Sequence, residues 1–241
     1  VKHFLSYAEK VTNELGDLID IVCTINEANL TACFAHSFQS YPENGMKAIM
    51  PFIKEAAEEC GSTLENFGPF LFGHPFKIRD CMMEAHVKSV PIIKNILKNN
   101  QPVGVTLSIM DYQAAEGGEK VRDQAYAESV DCCLDQITND DFVGVQMYTR
   151  HTYGPDGIIK PKADDPNMLV MGYEYYPESL ENVVRYVSSK IKTPIMITEN
   201  GIGTDDDNQR IQYLTTALQG LQKCLDAVSY THLTLPTKVE V

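Results

Sequence analysis

The chain alternates between short apolar runs and longer segments with helical periodicity. The apolar runs are of the kind that forms buried parallel strands, and they lie at residues 18–26, 103–109, 142–148 and 194–198. The periodic segments predict helices at residues 3–15, 44–60, 80–99, 119–137, 177–189 and 208–225. Pro91 is expected to kink the third of these helices or to start it afresh.

Strands that alternate with helices predict an α/β fold with a parallel sheet and right-handed crossovers. The 241 residues are enough for a sizeable core, and one domain is the simplest expectation. The longest irregular stretch, residues 150–176, is rich in Pro, Gly, Asp and Tyr. A long loop on the side where strands end is often functional, so we expect this stretch to border a site.

Two glutamates follow strand-like runs. Glu27 comes after residues 18–25, and Glu199 comes after residues 194–197. Parallel strands end at the same edge of a sheet, so both carboxyl groups are expected where α/β barrels keep their chemistry. Two carboxyl groups facing one substrate can share the hydrolysis of an acetal, one as proton donor and one as nucleophile. The leading hypothesis from these residues is a glycosidase.

The charge and composition exclude several other classes. A net charge of −13 and a pI of about 4.8 disfavour nucleic acid as a partner. No apolar run reaches the length of a membrane helix, and no leader sequence is visible, so we expect no membrane partner. The chain begins at Val1 rather than Met, and we interpret it as a fragment. A small carbohydrate is the expected partner, and the oligomeric state stays open.

The cysteines and the acidic run give no metal or cofactor prediction. The seven cysteines include no Cys-x-x-Cys pair, so we expect small buried hydrophobes in a reducing, cytoplasmic compartment. A calcium loop starting at Asp205 would need Gly and Glu where Arg210 and Thr216 stand, so residues 205–208 predict a helix N-cap. No glycine-rich phosphate loop follows a strand, which disfavours a nucleotide-binding domain.

Several segments carry a family resemblance. The chain resembles glycoside hydrolase family 1, the β-glucosidase family, through TINE, DFVGVQMYT, MGYEYYPESL, ITENG and RIQYL at residues 24–27, 141–149, 171–180, 197–201 and 210–214. The resemblance implies a partial (β/α)8 TIM barrel, roughly strands four to seven with their helices, in residues 1–228. Residues 229–241 do not continue the pattern, and we interpret them as a non-family tail, such as a read-through or assembly artefact.

The same resemblance implies the catalytic residues. Glu27 would be the general acid/base and Glu199 the nucleophile of a retaining double displacement, with carboxyl groups about 5 to 5.5 Å apart. The acid must stay protonated near neutral pH, which requires a less polar site or a nearby negative charge. Ala28 follows the acid where the family most often has Pro.

The implied substrate-binding residues surround these two carboxyl groups. Asn26 would hydrogen-bond the sugar 2-hydroxyl, and Tyr148 would donate to Glu199. Tyr173 stands where the family usually has Trp, and it would form an aromatic platform on the leaving-group side. Gln146 replaces a usual Asn and would border the sugar.

Other interpretations stay open. Another glycanase of the barrel clan, such as an endoglycanase, or a noncatalytic sugar-binding relative would also fit. Asn29 gives some support to a 6-phospho-β-glucosidase. His36 and His86 are expected to be structural, and Arg150 and His151 to be rim contacts or solvated charges. A half barrel leaves two sheet edges unpaired, so we expect this polypeptide to be inactive or poorly soluble by itself.

Overall fold

The computed structural model describes residues 1–37, 43–68, 73–162 and 165–227. The helices are α1 Lys2–Leu15, α2 Leu30–Ser37, α3 Glu43–Glu59, α4 Pro75–Ile96, α5 Glu119–Tyr126, α6 Cys132–Leu134, α7 Ser179–Lys190 and α8 Asp207–Ala227. The strands are β1 Val22–Cys23, β2 Val103–Ser108, β3 Asp111–Ala114, β4 Phe142–Met147, β5 Arg150–Gly154, β6 Gly157–Ile158 and β7 Ile195–Asn200. The predicted tail at residues 229–241 lies outside the described residues. No helix among the described residues is both long and apolar enough to cross a membrane.

The main sheet has four strands in the order β1-β2-β4-β7, and all three pairs of neighbours are parallel. Every residue of β2 and β4 is buried, because central strands of a parallel sheet are covered on both faces. In the core, side chains of these strands pack against side chains of the flanking helices, among them Val183 of α7 and Tyr213 of α8. The parallel sheet with helical crossovers is therefore confirmed.

A second, smaller sheet differs from the prediction of one irregular stretch at residues 150–176. Here β3 pairs in parallel with β5, and β5 turns back on β6 as an antiparallel hairpin. The segment of β5, RHTYG, lacks the alternation of apolar and polar residues that indicates a strand. Its pairing depends on β3, a partner distant in sequence, so local pattern could not reveal it.

The first strand is much shorter than the predicted 18–26. Only Val22–Cys23 forms the strand, and Leu18 before it is 82% exposed. The chain still follows β2 beyond Cys23, since the amide of Ala28 donates to Thr106 O at 3.2 Å. Between them Glu27 has a positive φ of 49°, which interrupts the regular strand.

The helix predicted at residues 119–137 is divided into α5, a π-helical turn at Ala127–Asp131, and α6. Inside the turn, the Ser129 hydroxyl donates to the Ala125 carbonyl at 2.6 Å. The same kind of bond joins Thr12 to the Ala8 carbonyl at 2.7 Å within the regular helix α1, so it does not by itself account for the local change of pitch.

Two further helical features differ from the prediction. The eight-residue α2 follows Glu27 closely and was not expected. Helix α4 begins at Pro75 rather than at residue 80, because His74 caps it: its Nδ1 accepts from the amide of Lys77 at 3.4 Å. Proline suits the first position of a helix, and the same helix continues past Pro91.

His86 joins three elements inside the core. Its ring is fully buried, with Nδ1 2.7 Å from the Thr24 hydroxyl and Nε2 3.0 Å from Asp140 Oδ1. These contacts tie α4 to the end of β1 and to the turn before β4. His86 is therefore structural, as predicted.

Several side chains and two strand edges are exposed in this fold. Cys23, Cys60 and Cys81 are exposed, so the expectation that the cysteines are buried is wrong for these three. Among the described strands, β1 pairs only with β2 and β7 pairs only with β4, which leaves one edge of each strand open. The exposed apolar side chains of α8 are Ile211, Leu214 and Leu218.

Candidate active site

The two predicted carboxyl groups lie at the carboxyl ends of β1 and β7, the two outer strands of the main sheet. A bulge in the pairing of β4 with β7 sets the position of Glu199. Val145 pairs with Ile197, but Gln146 pairs with Glu199, so Thr198 is the extra residue. Bulges beside active sites redirect the following side chain, and this one places Glu199 opposite Gln146.

Both carboxyl groups line one cavity of about 500 Å³. Tyr148 and Tyr173 line it as well, with ring centroids 6.3 Å apart. Four of the six predicted site residues therefore share one space, and it is open to a small molecule. The size falls within the range typical of ligand pockets in proteins.

The Glu199 carboxylate receives hydrogen bonds on both oxygens. Tyr148 donates its hydroxyl to Oε2, and Gln146 Nε2 donates to Oε1 at 2.7 Å. Burial and the adjacent carboxylate raise the pKa of the Tyr148 hydroxyl, so it remains a donor at neutral pH. Donors on both oxygens fix the orientation of the carboxyl group.

Asn26 is held next to this pair. Its Oδ1 accepts from Thr106 Oγ1 at 2.9 Å and from Gln146 Nε2 at 2.8 Å. Because both contacts use the oxygen, they determine which way the amide faces. Within the described part of the chain, the Nδ2 group of this exposed residue is left to donate to a ligand.

Glu27 has a different environment. Burial raises the pKa of its carboxyl group, the negative charge of Glu199 raises it further, and a hydrogen bond from Ser108 lowers it. Its backbone amide donates to Thr106 Oγ1 at 3.1 Å, which anchors a residue of positive φ. The cavity thus combines one carboxyl group whose pKa is raised, Glu27, with one that accepts a hydrogen bond on each oxygen, Glu199.

Gln146 and Tyr173 differ in their access to the cavity. Gln146 is 1% exposed and lies beneath the site, where it bridges Asn26 and Glu199. Its direct contact with substrate stays a prediction. Tyr173 is half-buried and lines the cavity from the loop before α7.

The charged rim of the cavity is internally paired. Arg150 forms two hydrogen bonds with Glu174, at 2.8 and 2.7 Å, and its guanidinium lies 4.1 Å from the centroid of Tyr176. The ring of His151 stacks on Tyr112 at 6.1 Å, and burial lowers the pKa of His151 to about 4. Arg150 and His151 both line the cavity, which agrees with the interpretation of these residues as rim contacts.

Sequence reasoning missed Thr106 and Ser108, which lie on β2 and contact the Glu27 segment. Their alternation along VGVTLS was the available signal, because residues two apart on a strand face the same side. The sequence gives Asn29 as some support for a 6-phospho-β-glucosidase, and that alternative stays a prediction. Asn29 is fully buried, and its amide bonds the backbone of Ser108 and Ser129.

The fold is similar to those of solved β-glycosidases. The solved structure of β-glycosidase BGL167 superposes with a TM-score of 0.81 at 33% identity, over 95% of this chain and 55% of that one. The chain is similar to β-glycosidases. The apo structure of β-glucosidase 1317 matches with a TM-score of 0.78 at 28% identity, over 95% and 55% of the two chains.

A curated relative leads to the same class. The β-galactosidase of Sulfolobus acidocaldarius is 25% identical over 280 aligned positions, which span 100% of this chain and 51% of that protein. No family model matches. The chain spans about half the length of these β-glycosidases, and its fold is a partial (β/α)8 barrel, as predicted.

Proposed function

We propose that this site hydrolyses β-glycosides, such as β-glucosides, with retention of configuration. Glu27 is the general acid/base and Glu199 the nucleophile. The observation that supports this proposal most is that two carboxyl groups lining one cavity have different environments. The pKa of Glu27 is raised by burial and by Glu199, whereas Glu199 receives donors from Tyr148 and Gln146.

The reaction proceeds in two displacements. In the first, Glu199 attacks the anomeric carbon while the Glu27 carboxyl group protonates the glycosidic oxygen, and the leaving group departs as an alcohol. In the second, the Glu27 carboxylate takes a proton from water, which attacks the anomeric carbon and releases Glu199. Both carboxyl groups return to their starting protonation states.

The neighbouring residues support these steps. Asn26 donates its Nδ2 group to the sugar 2-hydroxyl, since its Oδ1 is occupied by Thr106 and Gln146. Such a contact strengthens at the oxocarbenium-like transition state. Tyr148 orients Glu199 through its hydrogen bond, and Tyr173 supports the leaving-group side. Gln146 reaches the sugar only through Asn26 and Glu199 in this arrangement.

We propose that the chain on its own is inactive. The outer edges of β1 and β7 have no strand partner among the described residues, and the β-glycosidases it matches are about twice as long. A sugar held between only half of a barrel lacks contacts on its other faces, so binding energy for the transition state is lost.

A chimaera tests the function. Residues 1–227 replace the matching half of BGL167, and hydrolysis of aryl β-glucosides, disaccharides and polysaccharide is measured beside the chain alone. We expect the chimaera to hydrolyse aryl glucosides and disaccharides, and its Glu199→Gln variant to lose at least about a thousandfold in kcat. A chimaera that melts cooperatively but does not hydrolyse any β-glycoside would refute the proposal, and preference for polysaccharide would favour an endoglycanase.

A further inference from the structure

Two adjacent thiols lie at the start of α6, immediately after the π-helical turn at Ala127–Asp131. The Sγ atoms of Cys132 and Cys133 are 4.0 Å apart. Cys133 is fully buried, whereas Cys132 is half-buried and so is partly exposed to solvent. Neither cysteine lines the cavity that holds the two glutamates. The pair is therefore separate from the proposed active site.

Both cysteine side chains point back along the helix. Cys132 Sγ lies 3.6 Å from the Glu128 carbonyl oxygen, and Cys133 Sγ lies 4.0 Å from the Ser129 carbonyl oxygen. Side chains of consecutive helical residues do not ordinarily face each other, but here the two sulfur atoms are in contact. The π-helical turn ends directly before Cys132, and such turns are frequent at functional sites.

The distance between the sulfur atoms suits a metal ion that both thiolates bind. Thiolate sulfurs lie about 2.3 Å from an ion such as zinc, so two of them are about 3.8 to 4.6 Å apart for angles from tetrahedral to linear. The 4.0 Å between the sulfurs of Cys132 and Cys133 falls inside this range. The pair can therefore hold one ion with only small movements of the side chains.

The number of donors limits which ion can bind. Within the described ranges, no group of three or more Cys, His, Asp or Glu side chains could hold a metal ion. The Cys33 thiol of α2 is engaged elsewhere, because it donates to the Ser108 carbonyl at 3.2 Å. Structural zinc sites and iron–sulfur clusters need four protein ligands. Cu(I) is the remaining ion that thiolates select, and two thiolates are sufficient for it.

A positive charge lies next to the pair. Arg79 Nη1 donates to the Glu128 carbonyl oxygen, which Cys132 Sγ also contacts, so the guanidinium and the thiol meet at one oxygen. The Arg79 side chain is 12% exposed, whereas Asp80, its carboxylate partner, is 63% exposed and largely solvated. Cu(I) bound to two thiolates carries one negative charge, and a partly buried guanidinium compensates that charge.

We propose that Cys132 and Cys133 form a binding site for one Cu(I) ion. Binding replaces the two thiol protons with the ion, so two protons leave to solvent and both sulfurs become thiolate ligands. The ion reaches Cys132 first, because this thiol is partly exposed, and Cys133 completes the site from the core. The inference does not depend on the proposed hydrolysis of β-glycosides.

An anaerobic competition titration tests this site. The parent is the chain with Cys23→Ser, Cys60→Ser and Cys81→Ser, because these exposed thiols could otherwise bind Cu(I) between molecules. Cu(I) is supplied as its acetonitrile complex, and the coloured chelator bicinchoninate competes for it. We expect the parent to withhold one Cu(I) per chain from the chelator. X-ray absorption at the copper edge should then show two sulfur neighbours.

Matched variants of the parent locate the ion. Cys132→Ser and Cys133→Ser, made separately, should each weaken Cu(I) binding by at least about a hundredfold, since each removes one of two ligands. Cys224→Ser is the control, because this buried thiol of α8 contacts the Glu181 carbonyl oxygen at 3.7 Å. It should leave Cu(I) binding unchanged. Arg79→Lys should bind Cu(I) more tightly than Arg79→Gln, since only lysine keeps the charge.

Far-UV circular dichroism shows whether each variant is folded, and Cys132→Ser is the more informative of the two because its side chain is only half-buried. A parent that releases all its Cu(I) to bicinchoninate would overturn the inference. Equal Cu(I) binding by the parent and folded Cys132→Ser, or loss of binding in Cys224→Ser, would also overturn it. The copper-edge spectrum of the parent needs no variant, and a count of sulfur neighbours other than two would refute the site by itself.

Discussion

The Thr106 hydroxyl accepts the backbone amide of Glu27 at 3.1 Å. The same oxygen donates to Asn26 Oδ1 at 2.9 Å, so one buried side chain of β2 fixes both residues. Gly144 on β4 leaves the room that Thr106 needs, because a Cβ at Gly144 would lie 2.6 Å from Thr106 Cγ2. The position of the proposed acid therefore depends on packing inside the sheet.

Thr106→Val should weaken both the fold and the chemistry, since it keeps the shape of the side chain and removes its hydroxyl group. We expect the free energy of unfolding to fall by about 1–2 kcal/mol, because the Glu27 amide loses its partner. In the chimaera kcat should fall at least about tenfold, as Asn26 and Glu27 lose their orientation. Denaturant titration and steady-state kinetics measure the two effects.

Thr106→Ser is the matched control, because it restores the hydroxyl group and lacks only a methyl group. It should recover most of kcat. If Thr106→Ser and Thr106→Val lose the same kcat, then Thr106 acts through packing and not through its hydrogen bonds.

The positive φ of Glu27 predicts an unusual order of stabilities. A residue with a side chain is strained at φ 49°, whereas glycine is not. We expect Glu27→Gly to be more stable than Glu27→Ala by about 0.5–1 kcal/mol in denaturant titration. Glu9 lies in the interior of helix α1 and is exposed, and there Gly should be less stable than Ala. The same order at both positions would show that Glu27 is unstrained.

Glu199→Gly in the chimaera should lose turnover and regain it with azide or formate. The small anion fills the space of the missing carboxylate and attacks the anomeric carbon, so azide should give a glycosyl azide of inverted configuration. Product configuration is read by proton NMR. If neither anion restores turnover in a variant that melts like the parent, Glu199 is not the nucleophile.

His86→Ala should destabilise the chain without a specific effect on the site. It removes a fully buried ring and leaves the Thr24 hydroxyl and Asp140 without their partner. We expect a loss of about 2–4 kcal/mol in the free energy of unfolding. A loss below about 0.5 kcal/mol, within the range of surface substitutions, would contradict the structural role.

The central features of the fold and site could be predicted where an apolar run is followed directly by a residue with a reactive or hydrogen-bonding side chain. The strands β2, β4 and β7 are apolar runs, and Glu27, Glu199 and Tyr148 follow such runs directly. The barrel assignment and the position of both glutamates came from these signals together with the order of the motifs.

The remaining features depend on contacts between distant segments. Strand β5 pairs with β3, a segment distant in sequence, and the π-helical turn interrupts a segment whose sequence pattern predicts one continuous helix. In the sequence, Thr106 is an ordinary strand residue, because its hydrogen bonds go to the segment after β1, which is distant in sequence. Gln146 shows the same limit, since its bridge between Asn26 and Glu199 joins β4 to β7 and to the segment after β1.

The Glu27 pKa also predicts how stability depends on pH. A carboxyl group whose pKa is raised in the folded state holds its proton longer there than in the unfolded chain. Its contribution to stability is therefore present below the ordinary value of 4.5 and falls as pH rises through the folded pKa. Glu27→Gln should remove this part of the pH dependence in denaturant titrations, and an unchanged profile would contradict it.

The most direct test of the site measures the Glu27 carboxyl group by carbon NMR titration in the chain itself. We expect its pKa to lie above 4.5, to fall in Glu199→Gln, and to stay unchanged in the exposed control Glu178→Gln. That result would show that the two carboxyl groups act on each other across one cavity. A Glu27 pKa that does not respond to Glu199→Gln would contradict their convergence and the proposed mechanism with it.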